Sequence, residues 1–178
     1  MLLAAAAYGQ AVRLRDAKIV VVIRCTQKLL RRVDASGSGD VSSTTRLGDW
    51  SANLLGVRQQ RFVLLVSECS RLPVLLPARD VRHIAQHLAD ALALVLQALG
   101  VSSFAIRREL EEMRESVIAS TNNRSVLGSV NDFAKAAKWR LHEEPDADLI
   151  AVALWLSETP ILALGGDSPD VLTRGLLK

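Results

Sequence analysis

The feature that most constrains the fold is a change in hydrophobic periodicity near Asp80. Before this residue, the apolar residues form short β-branched runs that are typical of strands. After it, apolar residues recur every three or four positions, which is typical of helices. Strands followed by helices indicate an α+β domain. We therefore predict a small antiparallel sheet of three or four strands that is covered by four or five helices.

The predicted strands differ in how deeply they should lie. Ile19 to Ile23 is continuously apolar, so we expect a central strand that is buried on both faces. Trp50 to Val57 and Arg61 to Val66 are close enough to form a hairpin. The run from Leu72 to Leu76 contains Pro73, which favours an edge strand. Short connections between successive strands favour antiparallel pairing.

The most regular helical stripe lies between Asp80, a possible N-cap, and Gly100, a possible left-handed C-terminus. Ser103 is the predicted cap of a second helix, whose apolar stripe extends to Val117. The remaining helices are predicted from Ser125 to about Leu141, over Leu149 to Leu156, and after Ser168-Pro169. We expect the helix over Leu149 to Leu156 to be the most buried, since it is apolar on nearly every side.

Composition excludes several classes of protein. The chain has 178 residues, of which 49% are apolar and 23% are charged, so it is not an intrinsically disordered chain. A net charge of +3 is too small to imply nucleic acid by itself, although it does not exclude that partner. No apolar run approaches the ~18 residues of a membrane span, so we expect no membrane partner.

Cysteine usage and the N-terminal residues bear on the compartment. Cys25 and Cys69 are too few for a disulfide framework or a zinc site. The short apolar run from Leu2 to Ala7 has no positive residue before it, unlike a secretory signal. Both features favour a cytoplasmic protein with reduced thiols.

Two groups of residues are candidates for catalysis or metal binding. His83 and His87 are spaced to share a metal ion, but no catalytic Glu lies beside them, which favours solvent-exposed histidines. Cys25 lies where a strand meets a helix, yet no spacing points to a histidine partner, so a buried structural cysteine is favoured. The sequence therefore predicts no catalytic residue, no metal ligand and no cofactor, and whether the protein is an enzyme stays open.

The segment from Thr121 to Asp132 is the most unusual in the chain. If Ser125 caps the following helix, the first helical amides point outward, Arg124 adds a cation, and Gly128 lets a ligand approach the backbone. These are the parts of an anion site. Alternatively, Ser125 is only a cap, the asparagines form a turn, and Arg124 pairs with a carboxylate. Residue chemistry alone favours this second interpretation, because caps are common and phosphate sites are not.

Three sequence blocks resemble the hallmark blocks of one family. They are I-R-C-T-Q-K-L-L at Ile23 to Leu30, D-W-S-A-N-L at Asp49 to Leu54, and T-N-N-R-S-V-L-G-S-V-N-D-F at Thr121 to Phe133. The polar-x-Pro turn at Glu158 to Pro160 is also similar to the end of the family pattern. The resemblance covers about Val20 to Pro160 and is to a family of small prokaryotic proteins that are known only as a domain of unknown function.

The resemblance implies that part of the three blocks forms one shared ligand-binding constellation, and it brings the anion site level with the structural alternative. The constellation consists of Trp50, Asn53, Thr121, Asn122, Arg124, Ser125, Gly128 and Asn131. The first functional hypothesis is a cytosolic binding module for the phosphate of a nucleotide or nucleic acid. The second is a protein-interaction or accessory factor of a mobile element, and the third is a hydrolase or transferase.

The resemblance also divides the chain. Residues 1–18 have no counterpart in the family pattern, and we predict that they are a poorly packed extension or follow a mis-called start. Residues 19–160 form the predicted single domain. Residues 161–178 form a predicted tail with a possible short helix.

Overall fold

The described part of the chain forms one mixed sheet with helices packed on it. A computed structural model describes residues 20–33, 41–121 and 124–178, without the side chains of Asp80 and Arg124. The prediction for residues 1–18 therefore falls outside the described residues. Within them there are five strands and six α-helices, which confirms the α+β class.

The strands lie in the order β4-β3-β2-β1-β5. β1 is parallel to both of its neighbours, β2 and β5, whereas the β2–β3 and β3–β4 pairs are antiparallel. Their bounds are β1 Val21–Cys25, β2 Trp50–Val57, β3 Gln60–Ser67, β4 Pro73–Pro77 and β5 Ser116–Ser120.

The prediction of three or four antiparallel strands and four or five helices is wrong in strand number, in strand direction and in helix number. The chain between β1 and β2 is long enough to cross over and return beside β1 in the same direction. The sequence pattern does not reveal β5, because its apolar residues directly follow the stripe of the preceding helix and extend the predicted helix to Val117. Two expectations are confirmed, since β1 is an inner strand and β4, with Pro73, lies at the edge.

The helices start close to their predicted positions, with local corrections. Their bounds are α1 Gln27–Leu30, α2 Ile84–Ala98, α3 Ser103–Glu111, α4 Arg124–Glu143, α5 Leu149–Ser157 and α6 Pro169–Leu176. Asp80 does not cap α2, because a 3-10 turn over Ala78–His83 comes first. Ser102, one residue earlier than predicted, caps α3 by accepting a hydrogen bond from the Ala105 amide at 3.3 Å. Gly100 has a φ of 75°, as its predicted role at the end of a helix requires.

The helices cover both faces of the sheet, because consecutive residues of β3, which point to opposite faces, are buried alike. α4 packs on β2 and β3, and α5 packs on β4, α2 and α4. α5 buries Val152, Ala153 and Leu156 but exposes 36% of Trp155 and leaves Leu154 half-buried. It therefore has an outer face, although its sequence is apolar throughout.

The last helix is anchored to the sheet through polar side chains. Thr173 on α6 is fully buried, and its hydroxyl lies 2.9 Å from that of Ser70 in the β3–β4 connection.

Among the described residues, no single helix is long and apolar enough to cross a membrane. One pair bent by 64°, Leu149–Ser157 with Leu162–Leu176, passes that test by length and composition only.

Candidate functional site

The three sequence blocks meet at the carboxyl end of β1. The Thr26 amide donates to the Ala52 carbonyl at 3.1 Å, and the Thr121 amide donates to the Cys25 carbonyl at 3.2 Å. The Thr26 hydroxyl also lies 3.5 Å from the Asn53 side-chain oxygen. Because β1 and β5 are parallel, α1 and α4 both start beyond the same end of these strands, where ligands bind in many open sheets of this kind.

Arg71 is the functional candidate that the sequence did not reveal. It lies in the β3–β4 connection with a φ of 60° and is only 7% exposed. Its Nη2 donates to the Ser125 hydroxyl at 3.1 Å, and its Nη1 donates to the carbonyl oxygen of Glu68. Burial lowers the pKa of Arg71, while the charge of Glu68 acts in the opposite direction. The guanidinium of Arg71 therefore adds a buried positive group beside the start of α4.

The start of α4 differs from the predicted cap. The helix begins at Arg124, so Ser125 lies inside its first turn, and its hydroxyl accepts a hydrogen bond from Arg71. The first amides of such a helix have no partner within it and carry the positive end of its dipole. The side chain of Arg124 is outside what the structure describes, and so is residue Asn122 as a whole.

Two of the buried polar atoms that lack a partner, on Arg71 and Thr121, lie in this region. Among the described residues, four side chains have a buried nitrogen or oxygen with no hydrogen bond, namely Trp50 Nε1, Arg71 Nε, Thr121 Oγ1 and Arg140 Nε. Such atoms are rare, because stranding a buried polar group costs free energy. Trp50 and Thr121 belong to the predicted constellation, and Arg71 contacts its member Ser125. The polar groups around the strand ends and the start of α4 are thus incompletely satisfied by the described residues.

A cleft of about 410 Å³ opens beside the start of α4. Ser125 and Gly128 line one side, and residues 159–163, which follow α5, line the other. Phe133 and Ala136 contribute apolar wall, and Asp132 contributes a carboxylate. A Cβ added at Gly128 would meet nothing within 4 Å, so the backbone of α4 is open to the cleft at this point.

The structure divides the predicted constellation between different places. Thr121 and Asn53 lie near the end of β1, whereas Ser125 and Gly128 line the cleft. Trp50 is fully buried within the sheet, in register with Ile23 and Ser67.

Asn131, the last described member of the constellation, is exposed on α4 and is not among the residues that line the cleft.

The sequence gives little indication that Arg71 belongs to the site, because no spacing rule connects residue 71 with residue 125.

Arg24 and Asp49, which belong to the first two sequence blocks, have a structural role. The Arg24 Nε lies 2.5 Å from the Asp49 carboxylate, and both side chains are largely buried. Asp49 also accepts a hydrogen bond from the Ser43 amide at 2.8 Å, and Arg24 donates to the Val41 carbonyl at 2.9 Å. This network holds the segment before β2 against β1.

The earlier catalytic candidates have ordinary surroundings. Cys25 is fully buried, and burial raises its pKa to about 12, so it is a protonated thiol at neutral pH and a poor nucleophile. His83 and His87 are both exposed. The predictions of a buried cysteine and solvent-exposed histidines are confirmed.

Comparison with known families agrees with the resemblance of the three blocks. The family model described as a domain of unknown function, DUF6933, matches residues 22–171. The chain belongs to the DUF6933 family. The matched region contains all five strands except the first residue of β1. It also includes the cleft and residues 161–171 of the predicted C-terminal tail. No curated protein matches the chain.

Proposed function

We propose that this DUF6933 protein is a small binding module that holds an anionic group, such as a nucleotide or nucleic-acid phosphate, at the start of α4. The observation that carries the proposal is the buried guanidinium of Arg71, which lies one hydrogen bond away from Ser125. Ser125 also lines the cleft, so this positive charge acts on a surface that a ligand can reach.

Charge balance supports the proposal. The groups that accept hydrogen bonds from Arg71 in the described structure are a hydroxyl and a carbonyl, both of which are neutral. The carboxylate of Glu68 acts on the guanidinium as a nearby charge. Burying a cation without a hydrogen-bonded anion is costly, so an anion at the start of α4 would lower the free energy of this arrangement.

Helix geometry supports the same position. α4 has 20 residues, so its dipole places a positive end at its start, where an anion is favoured. Arg124, at the first helical position, adds a second cation to this end of the helix. A phosphate oxygen accepts hydrogen bonds from both backbone amides and guanidinium groups.

A second candidate function, a protein-interaction module, has its own observation. Leu162 is 96% exposed, Trp139 is 60% exposed, and Trp155 is 36% exposed. The rings of Trp139 and Trp155 lie 6.4 Å apart on α4 and α5. A pair of exposed aromatic rings such as this one is typical of surfaces that bind other proteins.

Thermal unfolding with added anions tests the first proposal. Phosphate and nucleoside monophosphates should raise the melting temperature of the wild type, because a ligand that binds the native state stabilises it. Arg124→Ala should remove this rise and change the stability without ligand by less than about 1 kcal/mol. Lys138→Ala is the matched control, since it removes an exposed cation from the same helix outside the cleft.

Two outcomes would contradict the proposal. One is a wild type whose melting temperature no phosphate, nucleotide or oligonucleotide raises. The other is an Arg124→Ala variant that loses about 1–3 kcal/mol of stability, the usual cost of stranding a buried partner, when anions do not raise the melting temperature of the wild type either. That second result would assign Arg124 to the fold, and the exposed tryptophans would then favour the interaction module.

A further inference from the structure

We infer that the ligand has one anionic head and an uncharged apolar body, and that the cleft between α4 and residues 159–163 holds this body. The inference rests on the proposed function, because it places the head at the same start of α4. It adds the class of ligand, which the anion site alone does not define.

The head position and the cleft are continuous along one side of α4. Ser125, Gly128, Asp132 and Ala136 follow one another at intervals of three or four residues, so they form a single stripe on the helix. Ser125, at one end of this stripe, accepts a hydrogen bond from Arg71. A ligand with its head at Ser125 therefore extends along the stripe between α4 and the opposite wall.

The walls of the cleft suit an apolar body. Phe133 and Ala136 on α4 face Pro160, Ile161 and Leu162 across a space of about 410 Å³. This volume lies within the ~300–1,000 Å³ of typical small-molecule sites, which combine mainly apolar walls with a few polar groups. Leu162 is 96% exposed, and a bound apolar body would cover part of it.

The fold itself does not explain Gly128. A glycine inside a helix is less favourable than alanine, and a positive φ or a close contact is the usual reason for keeping one. Gly128 has neither, because it is absent from the glycines with positive φ and its added Cβ would meet nothing within 4 Å. Its small size instead leaves room in the cleft one turn from the proposed head position.

Asp132 has only a small effect on the charge that the body can carry. It is the carboxylate in the described lining of the cleft, its side chain is 80% exposed, and it lies 3.9 Å from the Lys135 ammonium. Water and Lys135 screen this carboxylate, so it repels a second negative group on the ligand only weakly. The site therefore only slightly favours a monoester of phosphate, or a carboxylate, with an uncharged apolar body over a polyphosphate.

Calorimetric titration of the full chain with three probes tests the inference. The probes are inorganic phosphate for the head, 1-naphthol for the body, and 1-naphthyl phosphate for both together. The wild type should bind 1-naphthyl phosphate at least tenfold more tightly than inorganic phosphate. A Gly128→Leu variant should lose this tenfold advantage, retain phosphate binding and melt no lower than the wild type, since leucine favours helix more than glycine does.

Control variants separate blocking of the cleft from general effects. Lys138→Leu adds the same side chain at an exposed position of α4 that does not line the cleft, so it should keep the full advantage. Leu162→Ser removes apolar wall from an almost fully exposed position, so it should reduce the advantage and leave the fold intact even if Gly128→Leu does not fold.

The outcomes distinguish the two proposals. If phosphate binds but 1-naphthyl phosphate binds no more tightly, or if Gly128→Leu and Leu162→Ser keep the advantage, the apolar body is wrong and the anion site stands. If neither phosphate nor 1-naphthyl phosphate binds, the proposed function fails and this inference fails with it. If 1-naphthol alone binds as tightly as 1-naphthyl phosphate, the cleft takes apolar compounds without an anionic head, and the inference is overturned.

Discussion

Glu109 on α3 offers the sharpest test of how the described fold is held together. It is only 2% exposed, and its two carboxylate oxygens accept hydrogen bonds from the Leu47 amide at 3.0 Å and the Arg46 amide at 3.1 Å. These amides lie in the segment that leads into β2. Replacing Glu109 therefore removes the attachment of that segment to α3.

The cost follows from what the two amides lose. The bond to Leu47 is fully buried, so leaving that amide unpaired costs about 1–3 kcal/mol. The bond to Arg46 is partly buried, and its loss costs about 0.5–1.5 kcal/mol because water replaces part of it. We expect Glu109→Ala to lower the free energy of unfolding by the sum of these losses, about 1.5–4.5 kcal/mol. Glu109→Gln keeps one acceptor and should cost less.

The same side chain gives a pH dependence with a definite sign. Burial raises the pKa of Glu109 above its ordinary value of 4.5, and the two backbone amides oppose this rise only in part. Between the ordinary and the raised pKa, the folded state binds more protons than the unfolded state. The contribution of Glu109 to stability therefore falls as the pH rises through this window. Glu109→Gln cannot titrate, so the stability difference between the wild type and this variant should shrink with rising pH.

Urea denaturation at several pH values between about 4 and 7, a range that brackets the ordinary pKa of glutamate, measures both effects. Glu111→Gln is the control, since it removes the same charge from an exposed position of α3 and should change stability by no more than about 0.5 kcal/mol. A Glu109→Ala variant as stable as this control would refute the anchoring role. A stability difference that grows with pH would refute the direction of the pKa shift.

Two further predictions follow from burial. The fully buried Cys25 should resist a thiol reagent such as DTNB in the native protein and react only after unfolding, whereas the exposed Cys69 should react in the native protein. Two fast-reacting thiols per chain would contradict the described core. Ala153→Asp should abolish cooperative thermal unfolding, as measured by circular dichroism, because it places an unpaired charge in the core. Ala151→Asp, on the exposed side of the same helix, should still fold. A well-folded Ala153→Asp variant would show that α5 is packed differently.

Local patterns in the sequence determined much of the secondary structure. The apolar run around Val21 and Val22 predicts an inner strand, and Pro73 predicts an edge strand, because both act through hydrogen bonding and burial over a few residues. Ser168 and Pro169 predict the start of α6 for the same local reason. The resemblance of three short blocks was also enough to predict membership of a family of unknown function.

Only the tertiary structure decided which distant residues meet. The parallel direction of β1 and β2 depends on the path of a long connection, and β5 is a strand because β1 offers it a partner. Arg71 reaches Ser125 across 54 positions, and Glu109 reaches Leu47 across 62. Periodicity and capping describe neighbours along the chain, so they predict the helix that starts near Ser125 but not the buried cation beside it. The candidate site depends on that cation. The packing of the whole sheet brings Arg71 to α4, and no local sequence pattern describes that packing.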